Sequence, residues 1–110
     1  MGTVKPRKRY LLFHVEAEKQ LHEKNVKEAV FSGFQRLFGE VEAGRLGIRW
    51  VGFKPEERWG ILLCSQEAVV KVRAALALLT SLEGGKARFS TVRVSGTLKS
   101  LREFLRERKP

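Results

Sequence analysis

The order in which strand-like and helix-like patterns follow one another constrains the fold of this chain more than any other feature. Short runs rich in leucine, valine and aromatic residues predict strands, whereas apolar residues recurring every three or four positions predict helices. Together the patterns predict a strand, a helix, two strands, a second helix, a further strand and a last helix. The corresponding ranges are 9–15, 25–38, 46–53, 59–64, 65–79, 87–95 and 97–105.

This β-α-β-β-α-β order, followed by a helix, is the ferredoxin-like pattern that RNA-recognition modules share. We therefore predict the α+β class: a two-layer α/β sandwich with an antiparallel four-stranded sheet and an added C-terminal helix. The 110 residues suffice for one core. We divide them into a basic flexible N-terminus (1–8), a ferredoxin-like RNA-binding domain (9–97) and a C-terminal helix and tail (98–110).

Residues with side-chain oxygens stand at the start of the three helical patterns and predict where the helices begin. Asn25, Ser65 and Thr97 can each accept a hydrogen bond from a free N–H of the first helical turn. Gly39 follows the first helical pattern, at the place where a residue with positive φ commonly ends a helix. The sequence thus predicts the ends of the helices as well as their existence.

The last predicted strand alternates, which assigns its side chains to two faces because successive residues of a strand point in opposite directions. Unbroken alternation places Ala87, Phe89, Thr91 and Arg93 on one face and Arg88, Ser90, Val92 and Val94 on the other. The pattern therefore predicts that the two arginines of this strand lie on opposite faces of the sheet.

A large excess of positive charge indicates a polyanionic partner. The chain carries 22 Lys and Arg against 12 acidic residues, which gives a net charge of +10 and an isoelectric point near 10.4. A domain this basic has the electrostatic character of a nucleic-acid-binding protein. Charge that serves only solubility is the alternative, but solubility rarely needs so large an excess of one sign.

The excess is concentrated in two acid-free regions, one before Val15 and one between Gly84 and Arg102. Because the first and fourth strands of a ferredoxin-like sheet are antiparallel neighbours, we predict that these regions meet and bind the phosphate backbone of RNA, with salt-dependent affinity. Basic residues that only protect a sheet edge are the alternative. The predicted RNA-binding residues are Lys5, Arg7, Lys8, Arg9, Arg88, Arg93, Lys99 and Arg102.

Aromatic side chains near these regions could stack on bases. The candidates are Tyr10, Trp50, Trp59 and Phe89, and for each of them a place in the core is the alternative. The strand predicted at 59–64 carries one aromatic residue where the RNA-recognition motif carries several. The sequence therefore favours contact with folded RNA through phosphates and shape over reading of single-stranded bases on the sheet.

No arrangement of residues indicates a catalytic or metal site in the protein itself. His14, His22 and Cys64 lack the spacing of metal ligands, and a packed cysteine with partly exposed histidines is favoured. A single cysteine excludes an internal disulfide, and no apolar run approaches the roughly 20 residues of a membrane span. These features predict a non-catalytic cytoplasmic protein with no bound cofactor or metal and no membrane contact.

Four segments carry a more specific likeness, and they follow one another along essentially the whole chain. They are Arg9-Tyr10-Leu11-Leu12-Phe13, Phe34-Gln35-Arg36-Leu37-Phe38-Gly39, Trp59-Gly60-Ile61-Leu62-Leu63-Cys64 and Val92-Arg93-Val94-Ser95-Gly96-Thr97-Leu98. Each segment alone is common, and their combination with this length and charge is specific. Together they resemble archaeal ribonuclease P protein component 2.

The resemblance implies a role that composition alone does not. It implies a subunit of the ribonucleoprotein that removes 5′ leaders from precursor tRNA, in which the RNA subunit is the catalyst and carries the Mg²⁺. The implied partners are ribonuclease P RNA, precursor tRNA and protein component 3. Two copies of the chain would join two copies of component 3 in a heterotetramer, and the pair would bind and stabilise the catalytic RNA.

A protein partner needs an apolar surface, and two helices offer one. The predicted partner residues are Phe31, Phe34, Phe38, Leu101 and Phe104. For the last helix, closure over the open face of the sheet is an equal alternative. Other functions remain open from the sequence: a ribosome-associated or other RNA-binding protein on the same fold, a ferredoxin-like regulatory domain and, least favoured, a small hydrolase.

Overall fold

The computed structural model describes residues 7–108, which form a single antiparallel sheet with helices on both of its faces. The elements are β1 (Lys8–Ala17), α1 (Glu23–Arg45), β2 (Arg49–Lys54), β3 (Trp59–Ser65), α2 (Val69–Ala77), β4 (Ser81–Leu82), β5 (Gly85–Ser95) and α3 (Leu98–Arg108). The strand order is β2-β3-β1-β5-β4. The predicted ferredoxin-like α+β fold is therefore confirmed.

The sheet has five strands where we predicted four. The additional strand, β4, is only two residues long and pairs with Gly85 and Lys86. It exists because Glu83 and Gly84 adopt positive φ values of 54° and 78°, which turn the chain back sharply enough for the two flanking segments to pair. The same turn lets β5 begin at Gly85, two residues before the predicted range 87–95.

The core lies between the sheet and the pair α1 and α2. Leu11, Phe13 and Val15 of the central strand β1 are fully buried there, because every second side chain of a strand points to the same face. The ring of Phe13 is 6.2 Å from those of Phe53 and Phe89, centroid to centroid. The aromatic cluster around Phe13 therefore joins three strands of the sheet.

Helix α1 differs from the prediction at both ends. It begins at Glu23 after an N-cap, His22, that makes no side-chain capping bond, so Asn25 lies within the helix and the predicted cap is wrong. Gly39 has φ 78° and interrupts the helix as predicted, but the chain becomes helical again and continues to Arg45. A glycine with positive φ thus kinks this segment and does not end it.

The other two predicted caps are confirmed. The Ser65 hydroxyl accepts a hydrogen bond of 3.3 Å from the N–H of Ala68, in a 3-10 turn that leads into α2. The Thr97 hydroxyl accepts one of 3.2 Å from the N–H of Ser100 at the start of α3. Both side chains satisfy backbone donors that the first helical turn leaves free.

A bulge in β5 overturns the predicted assignment of its faces. Leu12 pairs with Arg93, whereas the next residue, Phe13, pairs with Thr91, so Val92 is an extra residue without a partner in β1. Beyond Val92 the two faces are exchanged. Arg93 therefore lies on the face turned away from α1 and α2, which we call the outer face, while its neighbour packs against the core.

The consequence for the two arginines of β5 is the reverse of the prediction. Arg88 pairs with Glu16 and Arg93 with Leu12, and both partners belong to the outer-facing set of β1. Arg88 and Arg93 therefore share the outer face. Val94, which unbroken alternation placed with Arg88, packs against the core cluster.

Helix α3 covers part of the outer face. Leu12 and Leu101 are both fully buried yet lie outside the core cluster between the sheet and the other two helices. The guanidinium carbon of Arg93 lies 4.7 Å from the ring centroid of Phe104. Of the two alternatives for the last helix, closure over the sheet is thus the one seen in the structure.

The Phe13 ring packs so closely against Gly60 of β3 that it leaves no room for a side chain there. A β carbon at Gly60 would lie 2.6 Å from a ring carbon of Phe13, whereas one at Gly52 in β2 would meet nothing within 4 Å. We expect Gly60→Ala to lower the free energy of unfolding by about 2 kcal/mol through overpacking. Gly52→Ala is the matched strand control and should change it by less than about 0.5 kcal/mol. Urea unfolding measures both, and equal effects would contradict the expectation.

Candidate nucleic-acid interface

Basic side chains from three elements meet where β1 begins, β5 ends and α3 begins. We call this set the cationic end. The pairing of Tyr10 with Ser95 places the start of β1 beside the end of β5. Its described members are Arg7, Lys8, Arg9, Arg93, Lys99 and Arg102. Lys5, also predicted to bind RNA, lies outside the described residues.

Backbone contacts hold the first part of the cationic end in place. The carbonyl oxygen of Arg7 accepts a hydrogen bond of 2.7 Å from the N–H of Gln66, which fixes the start of β1 to the end of β3. The guanidinium of Arg9 donates to the carbonyl of Lys8 at 3.1 Å. One of its nitrogens would lie 3.3 Å from a β carbon at Gly96, so Arg9 reaches the chain between β5 and α3.

The charges of the cationic end are available for a ligand. Arg7, Lys8, Arg93, Lys99 and Arg102 are exposed, and Arg9 is partly exposed. Within residues 7–108 none of the six makes an ion pair with a carboxylate. Uncompensated cations of one sign at a shared surface attract a polyanion and displace its counterions.

Arg93 is additionally ordered by the helix that covers the sheet. Its guanidinium lies on one side of the Phe104 ring and that of Arg108 also contacts the ring, each 4.7 Å from the centroid. Such cation–π contacts stabilise a guanidinium without an anionic partner. The contact therefore positions Arg93 while leaving its charge uncompensated.

Arg88, the remaining predicted RNA-binding residue, lies apart from the cationic end. It lies five residues before Arg93, or about 15 Å along the strand. There it shares the lining of an open depression of about 330 Å³ with Glu16 and Glu18. Arg58 and Lys86 also line this depression, and Arg88 makes no ion pair with a carboxylate within residues 7–108. The predicted RNA-binding set therefore divides into two places.

The four aromatic candidates divide between the two faces of the sheet. Phe89 is buried in the core, and Trp50 packs against the core while its indole N–H donates to Glu23 at 2.9 Å. Tyr10 and Trp59 lie on the outer face and are partly exposed, since they belong to the set that alternates with Leu11 and Phe13. Tyr10 and Trp59 are therefore the candidates that could contact a base on the outer face.

The outer face also carries cations that sequence reasoning missed, next to His14 and Trp59, which it had considered for other roles. His14 lies against Trp59, with ring centroids 4.7 Å apart, and Arg49 and Lys54 of β2 lie on the same face. Arg58 donates to the carbonyl of Ala17 at 3.1 Å beside them. The alternation of side chains along β2 and β3 showed that these residues share a face. The register of the sheet was needed to decide which face that is.

The predicted partner residues are not all accessible. Phe34 and Leu101 are 1% and 0% exposed, so both belong to the interior of the chain itself and are removed from that surface. Phe31 and Phe38 are partly exposed on α1, and Phe31 lies 6.2 Å from Phe34, centroid to centroid. Phe104 is partly buried against the outer face.

A different apolar surface lies on the helical side of the molecule. Leu37 and Val41 of α1 are 46% and 72% exposed, and Val70 and Leu78 at the two ends of α2 are 78% and 62% exposed. An ion pair of 2.6 Å between Lys71 and Glu42 joins the two helices there. We call Leu37, Val41, Val70 and Leu78 the helical apolar surface.

The described residues contain no visible centre for covalent or metal chemistry. Burial raises the pKa of the Cys64 thiol to about 11, which keeps it protonated and a poor nucleophile. Within residues 7–108 no cluster of three or more His, Cys or Glu side chains could hold a metal ion. No helix in this part of the chain combines the length and apolarity required to cross a membrane.

Comparison with known proteins gives concordant matches over most of the chain. The model of the Rpp14/Pop5 family matches residues 9–106. Ribonuclease P protein component 2 of Archaeoglobus fulgidus is 38% identical over 97 residues, covering 88% of this chain and 86% of that protein. The same component of Pyrococcus furiosus is 33% identical over 104 residues, covering 94% of this chain and 87% of that protein.

A solved structure shares the fold at much lower sequence identity. A chain in the cryo-EM structure of yeast ribonuclease MRP superposes with a TM-score of 0.67 at 10% identity. The superposition covers 96% of this chain and 94% of that one. The arrangement of strands and helices is therefore retained where little of the sequence is.

Protonation of His14 should destabilise the fold. Burial lowers its pKa below the ordinary 6.5, and Arg58 adds to this effect while Glu16 opposes it. The unfolded state then binds more protons near and below about pH 6.5, so the free energy of unfolding falls as the pH falls through that range. We expect His14→Gln to make this fall smaller between about pH 7 and pH 5.

The control for this prediction is His22→Gln, which changes the exposed histidine that precedes α1. Urea unfolding across the pH series provides the measurement. An unchanged pH dependence in the His14 variant would show that burial of this ring does not couple protonation to folding.

Proposed function

Because the chain belongs to the Rpp14/Pop5 family of ribonuclease P protein subunits, we propose that its cationic end binds the catalytic RNA of that ribonucleoprotein. The enzyme matures the 5′ ends of tRNA, and its catalyst is RNA. The protein contributes binding energy and electrostatic compensation. The exposed, unpaired cations of the cationic end are the observation that carries the proposal.

The physical role follows from the repulsion between phosphates. Compaction of a large RNA brings its phosphates close together, and Mg²⁺ normally offsets the repulsion between them. A protein with a net charge of +10, with six cations gathered at one end of a rigid sheet, offsets part of it and holds neighbouring RNA segments together. The catalytic fold and its Mg²⁺ sites then form at a lower magnesium concentration.

The partners named by the resemblance complete the proposal. We propose ribonuclease P RNA and precursor tRNA as the nucleic-acid partners, with Mg²⁺ bound by the RNA. Protein component 3 is the proposed protein partner, in an assembly with two copies of each chain, and the complex acts in the cytoplasm. No cofactor is assigned to the protein itself.

The helical apolar surface is the proposed contact for component 3. Its four large aliphatic side chains are 46% to 78% exposed. Single exposed apolar side chains are normal on a monomer, whereas a group of them marks an interaction site. A groove of about 280 Å³ lined by Leu37, Leu78 and the intervening Gly33 adds a place for an inserted side chain. Phe31 lies on the same helix but lines a separate groove with Ile48, 6.4 Å from the ring of Trp50, centroid to centroid.

Removal of three charges from the cationic end should raise the magnesium requirement of the enzyme. We expect Arg9→Ala, Arg93→Ala and Lys99→Ala together to shift the Mg²⁺ needed for half-maximal cleavage upward. The slope of log affinity against log salt should decrease by about 2 to 3, because each lost phosphate contact removes about 0.7 to 0.9. Cleavage of precursor tRNA by the reconstituted holoenzyme and filter binding measure the two effects.

A second triple variant controls for net charge. Lys24 and Lys27 of α1 and Lys86 of β5 are exposed cations away from the cationic end, and their replacement by Ala removes the same charge. Magnesium and salt dependence should stay close to those of the unaltered protein. An unchanged dependence in the first triple variant, or an equal change in both, would count against the cationic end as the RNA site.

Charges placed on the helical apolar surface should prevent assembly with component 3. We expect Leu37→Asp combined with Leu78→Asp to abolish co-elution of the two proteins, because burying unpaired carboxylates costs several kcal/mol. Stability should change little, since both side chains are largely exposed. Val51→Asp, at an exposed valine of β2, is the control and should co-elute normally. Co-elution of the double variant would exclude this surface.

A further inference from the structure

One edge of β5 is left open for most of its length. The two residues of β4 pair with Gly85 and Lys86, and the carbonyl of Thr80 accepts from the N–H of Ala87 at 3.0 Å. From Arg88 to the end of the strand, no backbone group within residues 7–108 pairs with this side of β5. An unpaired strand edge is a template for another strand.

The backbone groups that face the open edge follow from the alternation of an antiparallel ladder. Lys86 turns its carbonyl toward β1, where it accepts from Glu18 N at 3.3 Å, whereas Ala87 donates to the other side. Because consecutive residues alternate between the two sides and the register is unbroken up to the bulge, Phe89 and Thr91 turn their N–H and C=O groups outward. The edge thus presents donors and acceptors alternately.

A groove accompanies this edge and carries positive charge. It has a volume of about 330 Å³ and is lined by Arg73 and Ala77 of α2 and by residues 88–91 of β5. The side chains of Arg73 and Arg88 are exposed, and neither pairs with a carboxylate within residues 7–108. The hydroxyl oxygen of Thr91 is buried without a hydrogen-bond partner there, so the polar groups of the groove are incompletely satisfied.

We propose that this groove accepts an extended, acidic peptide segment of another protein, which joins the sheet as a sixth strand beside β5. The backbone of the segment would pair with Phe89 and Thr91, and its acidic side chains would pair with Arg73 and Arg88. Addition of a strand to a sheet edge takes affinity from main-chain hydrogen bonds and specificity from the flanking side chains. The proposal goes beyond the RNA-binding role and is independent of it.

The chemistry of the edge favours a peptide over RNA. A phosphodiester offers only acceptor oxygens, which would meet the outward carbonyl groups of Phe89 and Thr91 as well as their N–H groups. A peptide backbone supplies a donor for each carbonyl and an acceptor for each N–H. The alternating edge is therefore complementary to a strand and only half complementary to a phosphate chain.

Charge also disfavours a second copy of this chain as the occupant. Antiparallel pairing of two β5 strands would place Arg88 and Arg93 of both copies on one face of the joined sheet and bring Arg73 of both copies to the groove on its other side. Like charges at cross-strand positions are destabilising. A segment that carries acidic residues reverses the sign of each of these interactions.

The test uses two labelled heptapeptides with blocked ends, one in which pairs of valines alternate with pairs of glutamates and one in which they alternate with pairs of lysines. Each added strand then carries charge on both of its faces. Fluorescence anisotropy with the full chain should show binding of the glutamate peptide and none of the lysine peptide. Hydrogen exchange should slow at the amides of Phe89 and Thr91 in the complex. Slowing at β2, which forms the other edge of the sheet, with none at these two amides, would overturn the proposal.

Two variants at one position isolate the backbone contribution. Thr91→Pro removes the outward N–H, and proline is tolerated where a strand's N–H faces away from the ladder. Thr91→Val keeps the N–H and the branched shape while removing only the hydroxyl. We expect the proline variant to bind the glutamate peptide about tenfold more weakly and the valine variant to bind it normally. Equal affinities would overturn the proposal.

A charge exchange tests the groove even where the proline variant fails to fold. Arg73→Glu should weaken the glutamate peptide about fivefold and allow the lysine peptide to bind, whereas Arg36→Glu on α1 should do neither. If Arg73→Glu instead weakens only RNA binding or only self-association at high concentration, the occupant is RNA or a second copy and the proposal fails. Loss of RNA binding in the cationic-end variant leaves the peptide result intact.

Discussion

The pairing of β1 with a neighbour on each side determines where most of the important groups lie. β1 is hydrogen-bonded to β3 along one edge and to β5 along the other, and one face of it supplies Leu11, Phe13 and Val15 to the core. Because β5 runs antiparallel to β1, residues near the start of the chain meet residues near its end. The single extra residue Val92 then sets which side chains of β5 face outward.

The same pairing separates two electrostatic environments along the sheet. At one end, the cations of β1, β5 and α3 make no ion pair with a carboxylate within residues 7–108, and at the other end Arg88 lines a depression that contains both cations and glutamates. Since the Debye length is about 8 Å in physiological salt and the two ends of β5 are farther apart than that, a polyanion senses them as distinct. A single basic chain can therefore orient itself on a large RNA and leave its other surfaces for proteins.

Local signals and long-range pairing were not equally predictable. Ser65, Thr97 and Gly39 act through contacts within a few residues, and the sequence predicted their cap or positive φ correctly. The meeting of the two acid-free regions required only the strand order of a known fold. It was therefore also predictable, and the structure places Arg88 apart from the point where they meet.

A second bulge lies in β2, where Trp50 pairs with Leu62 and Gly52 with Ile61, so that Val51 is an extra residue. Neither this bulge nor the one at Val92 was predictable from local pattern. Each inserts a residue where two strands adjust their register to the packing of distant side chains, as where Trp50 and Phe53 both reach the core. The burial of Phe34 and Leu101 was missed for a related reason, since an apolar helix face does not reveal how much of it the rest of the chain will cover.

The ring of Phe104 has a further consequence for the two arginines that contact it. A guanidinium that contacts an aromatic ring has no carboxylate on its N–H groups there, so those groups can still donate to a ligand. Held in this way, Arg93 has already lost much of the rotational freedom that a flexible side chain surrenders on meeting a ligand. Helix α3 thus pre-orders the Arg93 side chain, so that its N–H donors are already held in place before a phosphate binds.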